Sequence, residues 1–149
     1  MAKKQSLKKS KKQILKQYTM RKLGWTEEQY SREYDKLRKR VAVFNKATGS
    51  SYSPARVLSW RGKYKYPSYA EEAITATPLR GGKIANEIAL DYIEYRFAGL
   101  IENASDPKVG EWVEQARNGE ISPAELRKKL SDYADNLHER RKKDAMAGS

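Results

Sequence analysis

Few residues in this chain have the types and spacing that chemistry needs. Asp91 and Glu94 stand three apart, as do Glu111 and Glu114, so on a helix each pair shares a face. Carboxylates placed this way suit a Mg²⁺ ion or proton transfer. Neither pair has an evident third ligand, and the same spacing is ordinary on any solvated helix. His138 is the single histidine, and its neighbours Glu139, Arg140 and Arg141 mark a solvated tail. Gly81-Gly82-Lys83 invites a phosphate-loop reading, which fails. No GxxxxGK[ST] pattern surrounds it and no apolar strand precedes it. Cysteine is absent, so disulfides, thiol catalysis, iron–sulfur clusters and Cys-based zinc sites are excluded. The expectation is a non-enzymatic protein with no cofactor, no catalytic residue and no metal site.

Charge is the stronger signal. The 149 residues carry a formal +12, and the excess is segregated. Residues 1–65 hold 19 Lys and Arg against 4 Asp and Glu, whereas residues 66–137 hold 8 against 13. A surface with this bias calls for a polyanion, nucleic acid before an anionic membrane. No apolar run approaches the roughly 20 residues of a membrane span, so no membrane partner is expected. The opening MAKKQSLKKSKK lacks the apolar stretch of a secretory signal, which predicts a cytoplasmic protein.

The candidate phosphate contacts fall in three groups. The first is Lys3, Lys4, Lys8, Lys9, Lys11, Lys12, Lys16, Arg21 and Lys22 of the N-terminal segment. The second is Arg32, Lys36, Lys39, Arg40 and Lys46, opposite an apolar seam. The third is Arg61, Lys63, Tyr64, Lys65 and Tyr66, where cations alternate with aromatics and Gly62 and Pro67 disfavour a helix. Tyrosines there can stack on bases or bond phosphates while the cations neutralise the backbone. A Tyr-rich loop lying on the helical core, or a strand edge, accounts for the same residues.

These groups need elements to hold them. Residues 1–24 read as a basic arm, disordered or frayed alone and helical when bound to phosphate, with Leu7, Ile14 and Tyr18 on a helical stripe. Thr26-Glu27-Glu28-Gln29 is a capping box that starts a helix running to about Lys46. Tyr30, Tyr34, Leu37, Val41 and Phe44 form its seam. Ser53-Pro54 opens a short helix over Ala55–Arg61, stopped by Gly62, and Ser68-Tyr69-Ala70-Glu71 opens another to about Ala76. Residues 77–82 read as a linker. Ile84–Glu102 is predicted as one central helix, apolar around much of its girth. Asp106-Pro107 and Ser122-Pro123-Ala124-Glu125 start two more helices. Val109, Trp112, Val113 and Ala116 form the inner face of the first, and Leu126, Leu130, Tyr133 and Leu137 the seam of the second. The latter is expected to fray into Glu139-Arg140-Arg141-Lys142-Lys143.

The predicted architecture is all-α: a basic arm and a small bundle of about five or six helices. Its segments are an arm (1–24), a basic helical region with a Tyr-rich loop (25–76), a linker (77–82), a helical core (83–137) and a basic tail (138–149).

The stretch Glu33-Tyr-Asp-Lys-Leu-Arg-Lys-Arg-Val-Ala-Val-Phe-Asn-Lys-Ala-Thr-Gly, followed by Ser-Ser-Tyr-Ser-Pro, resembles small basic helical proteins of tailed phages. More narrowly, about Lys22–Pro67 is similar to the terminal proteins of phages that replicate linear DNA by protein priming. That resemblance implies a DNA-binding N-terminal part, a middle segment contacting a polymerase, and one Ser, Thr or Tyr hydroxyl joined to the first nucleotide. No position here matches a motif that identifies this hydroxyl.

The leading expectation is therefore a binder of double-stranded DNA through its phosphates, in replication or packaging for a phage or mobile element. It would then sit in a host cytoplasm or a virion. Removing residues 1–22 is expected to lower both affinity and its salt dependence. One alternative is a virion assembly protein whose helical seams make oligomer contacts. The other is an RNA-binding or ribosome-associated protein.

Overall fold

The computed structural model describes residues 10–147, in which eight helices and no strand occur. They are α1 (Lys11–Leu23), α2 (Glu27–Thr48), α3 (Pro54–Lys63), α4 (Tyr69–Ala76), α5 (Lys83–Arg96), α6 (Ala98–Asn103), α7 (Pro107–Arg117) and α8 (Pro123–Ala147). The all-α class is as predicted, but there are more helices than five or six. Two additions account for this: α1 lies inside the supposed arm, and the predicted Ile84–Glu102 helix is broken. Two compact units result. Among the described residues, one comprises 10–45 and 51–80, the other 46–50 and 81–147.

In the first unit, α1 is a capped helix. The Ser10 hydroxyl accepts from the Gln13 backbone N–H and the Gln13 side chain accepts from the Ser10 N–H, both at 3.2 Å. Arg21 and Lys22 lie in its last turn, where cations complement the helix dipole. Of its predicted stripe, Ile14 is 53% exposed and Tyr18 half-buried, while Leu7 lies outside the described residues. The buried residue is Thr19, whose hydroxyl donates to the Leu15 carbonyl at 2.8 Å. This small side chain suits close packing, and α1 lies directly against α3.

The reason is legible on α3. Ala55, Ser59 and Gly62 are spaced four and three, so they share one face. A Cβ at Gly62 would lie 2.9 Å from the Lys22 Cβ and 3.7 Å from the Tyr18 ring. Gly62 therefore does not end the helix, as its type suggests, but permits the approach of α1; α3 continues to Lys63. At the other end of α3 the Ser53 hydroxyl accepts from Arg56 N–H, with Pro54 in the first turn as predicted.

The α2 capping box forms as read, with Thr26 N–H donating to Gln29 Oε1 at 2.8 Å and Gln29 N–H to Thr26 Oγ1 at 3.2 Å. Tyr30, Leu37, Val41 and Phe44 of its seam are buried and Tyr34 is half-buried. The Asn45 amide closes the following loop, donating to the Tyr52 carbonyl at 2.8 Å and accepting from its N–H at 3.1 Å. Tyr52 then stands between Phe44 and Trp60, with ring centroids 6.1 and 5.6 Å away. Ser68 caps α4 by accepting from Glu71 N–H. At its C-terminus the Thr77 hydroxyl donates to Ala73 O at 2.7 Å, and Arg40 Nη1 donates to Thr77 O at 2.7 Å.

In the second unit, α5 and α7 both pack on α8. The chain halts at Phe97 (φ −111°, ψ 19°), which separates α5 from α6. The buried face of α5 is Ala85, Ala89, Tyr92 and Ile93, whereas Ile84 and Tyr95 are 62% and 59% exposed. The predicted all-round apolar helix is thus a one-faced helix approached across two alanines. Val109, Val113 and Ala116 of α7 and Leu126 and Leu130 of α8 complete the core. Trp112 meets Tyr133 edge-on at 6.3 Å. Residues 46–50 belong here, as Arg127 Nη1 donates to Thr48 O at 3.3 Å and to Ser50 Oγ at 2.7 Å. No fraying follows Glu139, since α8 continues to Ala147.

Candidate nucleic-acid interface

Acids in the first unit are largely occupied by its own cations. Lys16 Nζ meets Glu27 at 2.6 Å, and Arg38 meets Asp35 at 3.5 Å. Arg61 binds two carboxylates from different helices, Glu33 on α2 at 3.2 Å and Glu71 on α4 at 3.3 Å. Glu71 is buried, so its charge needs this partner. Arg61 and Arg40 accordingly have internal hydrogen-bond partners, in contrast to a freely presented phosphate contact.

Tyrosine rings hold a second set of cations. Lys12 Nζ lies 4.8 Å from the centroid of Tyr34, and Lys16 Nζ 5.5 Å from that of Tyr30. Both lysines and both tyrosines are four residues apart, and the two rings stack at 6.0 Å. The result is a two-rung ladder of ammonium groups on aromatic faces, each rung contributing about 0.5–1 kcal/mol. Tyr30 is 4% exposed and its hydroxyl has no hydrogen-bond partner. Burial first, and then the adjacent Tyr34, hold its phenol above the ordinary value of 10.0.

Among the described residues, Lys11, Arg21, Arg32, Lys39, Lys46, Lys63 and Lys65 make no ion pair and are exposed. Lys36 has only a loose contact with Glu33 at 3.9 Å, and Lys22 lies 6.0 Å over the Tyr18 ring. Lys3, Lys4, Lys8 and Lys9 fall outside the described residues.

Two groupings emerge. Lys36, Lys39, Arg40 and Arg61 line a groove of about 680 Å³ with Leu37 and Leu79. Arg38 lines it as well; its charge pattern does not single it out, because Asp35 stands one turn earlier. The second grouping lies where α1 meets the end of α3. There Lys22 packs at Gly62, immediately before Lys63, Tyr64, Lys65 and Tyr66. Lys46 falls in the second unit.

One carboxylate of each pair in the second unit, Glu94 and Glu114, is held by arginine. Arg117 donates to Glu94 at 2.6 and 3.0 Å and to Glu114 at 3.1 Å. These bonds, led by that to Glu94, raise the Arg117 pKa further. No group of three or more metal-ligating side chains occurs among the described residues, and no described helix is long and apolar enough to cross a membrane.

Comparison with protein-family models, curated proteins and solved structures found no match to this chain.

Proposed function

We propose that the protein binds double-stranded DNA through its phosphates by means of the first unit, without catalysing a reaction. One observation carries this reading. Glu27, Glu33, Asp35 and Glu71 of that unit are engaged by Lys16, Arg38 and Arg61, while Arg21, Arg32, Lys39, Lys63 and Lys65 face solvent without an ion pair among the described residues. An unneutralised array of this kind opposes compaction until a polyanion displaces its counterions. Phosphate contacts give affinity with little sequence readout.

The test is a salt titration of binding to a labelled duplex. Truncating residues 1–22 is the wrong perturbation, because it removes the packed helix α1. Side-chain changes on exposed positions avoid that. Arg32→Ala, Lys36→Ala and Lys39→Ala together are expected to weaken binding and to flatten the slope of log K against log[salt] by about one for each phosphate no longer neutralised. An unchanged slope overturns the assignment of α2. Tighter binding to structured RNA than to duplex DNA at the same salt moves the reading to RNA.

A further inference from the structure

Tyr64 and Tyr66 are used differently from the tyrosines of the helical cores. Tyr30 and Tyr92 are 4% and 2% exposed and belong to those cores, whereas Tyr64 is 51% and Tyr66 72% exposed. Both stand between the end of α3 and the start of α4, in a loop that contains Pro67. Proline lacks a donor and restricts the residue before it, which keeps Tyr66 out of a helix. A cation accompanies each ring: Lys63 Nζ lies 5.3 Å from the Tyr64 centroid, and Lys65 Nζ 5.5 Å from that of Tyr66. Neither lysine has a carboxylate partner among the described residues. The close approach at Gly62 adds Lys22 beside the base of this loop.

A lysine over one face of a ring leaves the opposite face to a second flat, apolar group. Inside a duplex each base already has neighbours on both faces; an unpaired base does not. Rings flanked by cations therefore favour unpaired nucleotides, with the bases on the tyrosines and the phosphodiesters on the lysines.

We propose that the Tyr64–Tyr66 loop is a single-stranded DNA site that stacks unpaired bases beside the duplex-binding face. The inference rests on the DNA-binding reading and adds a preference to it: a duplex carrying a single-stranded end is bound better than a blunt one.

The experiment measures anisotropy at one salt concentration with three labelled probes. They are a blunt duplex, the same duplex with a thymidine overhang of about ten nucleotides, within the usual site sizes, and the free thymidine strand. The wild-type protein is compared with Tyr64→Ala/Tyr66→Ala and Tyr64→Phe/Tyr66→Phe, and each variant is checked by thermal unfolding.

The wild type is expected to bind the overhang more tightly than the blunt duplex. The alanine pair should lose roughly tenfold per ring on overhang and strand, and stay within about twofold on the blunt duplex. The phenylalanine pair should retain the preference, because stacking needs the ring and not the hydroxyl. Three results overturn the proposal: no preference for the overhang in the wild type, an equal loss on blunt and overhung probes, or phenylalanine behaving like alanine. If the blunt duplex does not bind while the strand does, the duplex reading fails and this one stands. If the duplex binds and the overhang adds nothing, only this inference fails.

Discussion

Lys22 and Gly62 meet so closely that a methyl group on Gly62 would lie 2.9 Å from the Lys22 Cβ. The atom approached is the root of the lysine side chain, which cannot swing away without moving α1. In an unconstrained helix Gly→Ala is stabilising by about 0.5–1 kcal/mol. Here the sign reverses. Gly62→Ala is expected to destabilise the first unit by about 1–2 kcal/mol, the cost of overpacking less the gain in propensity. Urea unfolding monitored by circular dichroism measures it, and a rise in midpoint would refute the contact.

The orphan hydroxyl of Tyr30 makes a second test. Its raised pKa means that the folded protein keeps the phenolic proton to higher pH than the unfolded chain does. The associated stability is complete below pH 10.0 and declines as pH rises beyond it. Tyr30→Phe should lose that part of the alkaline decline. At neutral pH it should be as stable as the wild type or more stable by up to about 1 kcal/mol, since a buried unpaired hydroxyl is removed. Thermal unfolding at neutral pH and again about one unit above the ordinary phenol pKa separates the two effects.

Arg61 joins three helices through charge. Arg61→Met leaves the buried Glu71 without its cation and should cost about 2–4 kcal/mol, somewhat below a fully buried pair because Arg61 is partly exposed. Arg61→Met/Glu71→Leu should recover much of this, because the uncompensated carboxylate is then gone. A double-mutant cycle in urea gives the coupling directly. Additive losses would mean that the two residues act independently.

In the second unit, Arg127 fastens the 46–50 segment through one carbonyl and one hydroxyl. Arg127→Ala is expected to lower stability by about 1–3 kcal/mol, in the range for charged hydrogen bonds. Hydrogen exchange should quicken at the end of α2 before it does so in α5 or α7. Uniform acceleration would show that the bond is not local in its effect.

Those elements whose ends are marked by side-chain chemistry are legible in the sequence. Thr26 with Gln29, Ser53-Pro54 and Asp106-Pro107 each specify a start by satisfying backbone donors, and those hydrogen bonds or caps are present. Packing is harder to read. Hydrophobic bulk draws attention to Ile84, Tyr92, Ile93 and Tyr95, but only Tyr92 and Ile93 are buried, beside Ala85 and Ala89, whose small side chains suit close helix contact. For the same reason Gly62 reads as a terminator and is a contact. The spacing of Ala55, Ser59 and Gly62 is the available signal. Among the cationic candidate site residues, charge identifies all of them equally. Only the fold separates Arg61 and Arg40, held by internal partners, from Lys39 and Lys63, which are not.

The length of α8 bears on how fast the polyanion of the proposed function would be met. Residues 138–147 are almost wholly exposed yet helical, so Arg140, Arg141, Lys142 and Lys143 are carried at about 1.5 Å intervals along an axis. Cations on a structured rod need no coil-to-helix transition before contact, and their field extends outward by about a Debye length, ~8–10 Å at ordinary salt. Under the proposed DNA binding, their contribution would fall on the encounter: they would widen the range of approaches that end in capture, and the time a complex lasts would be left to contacts elsewhere.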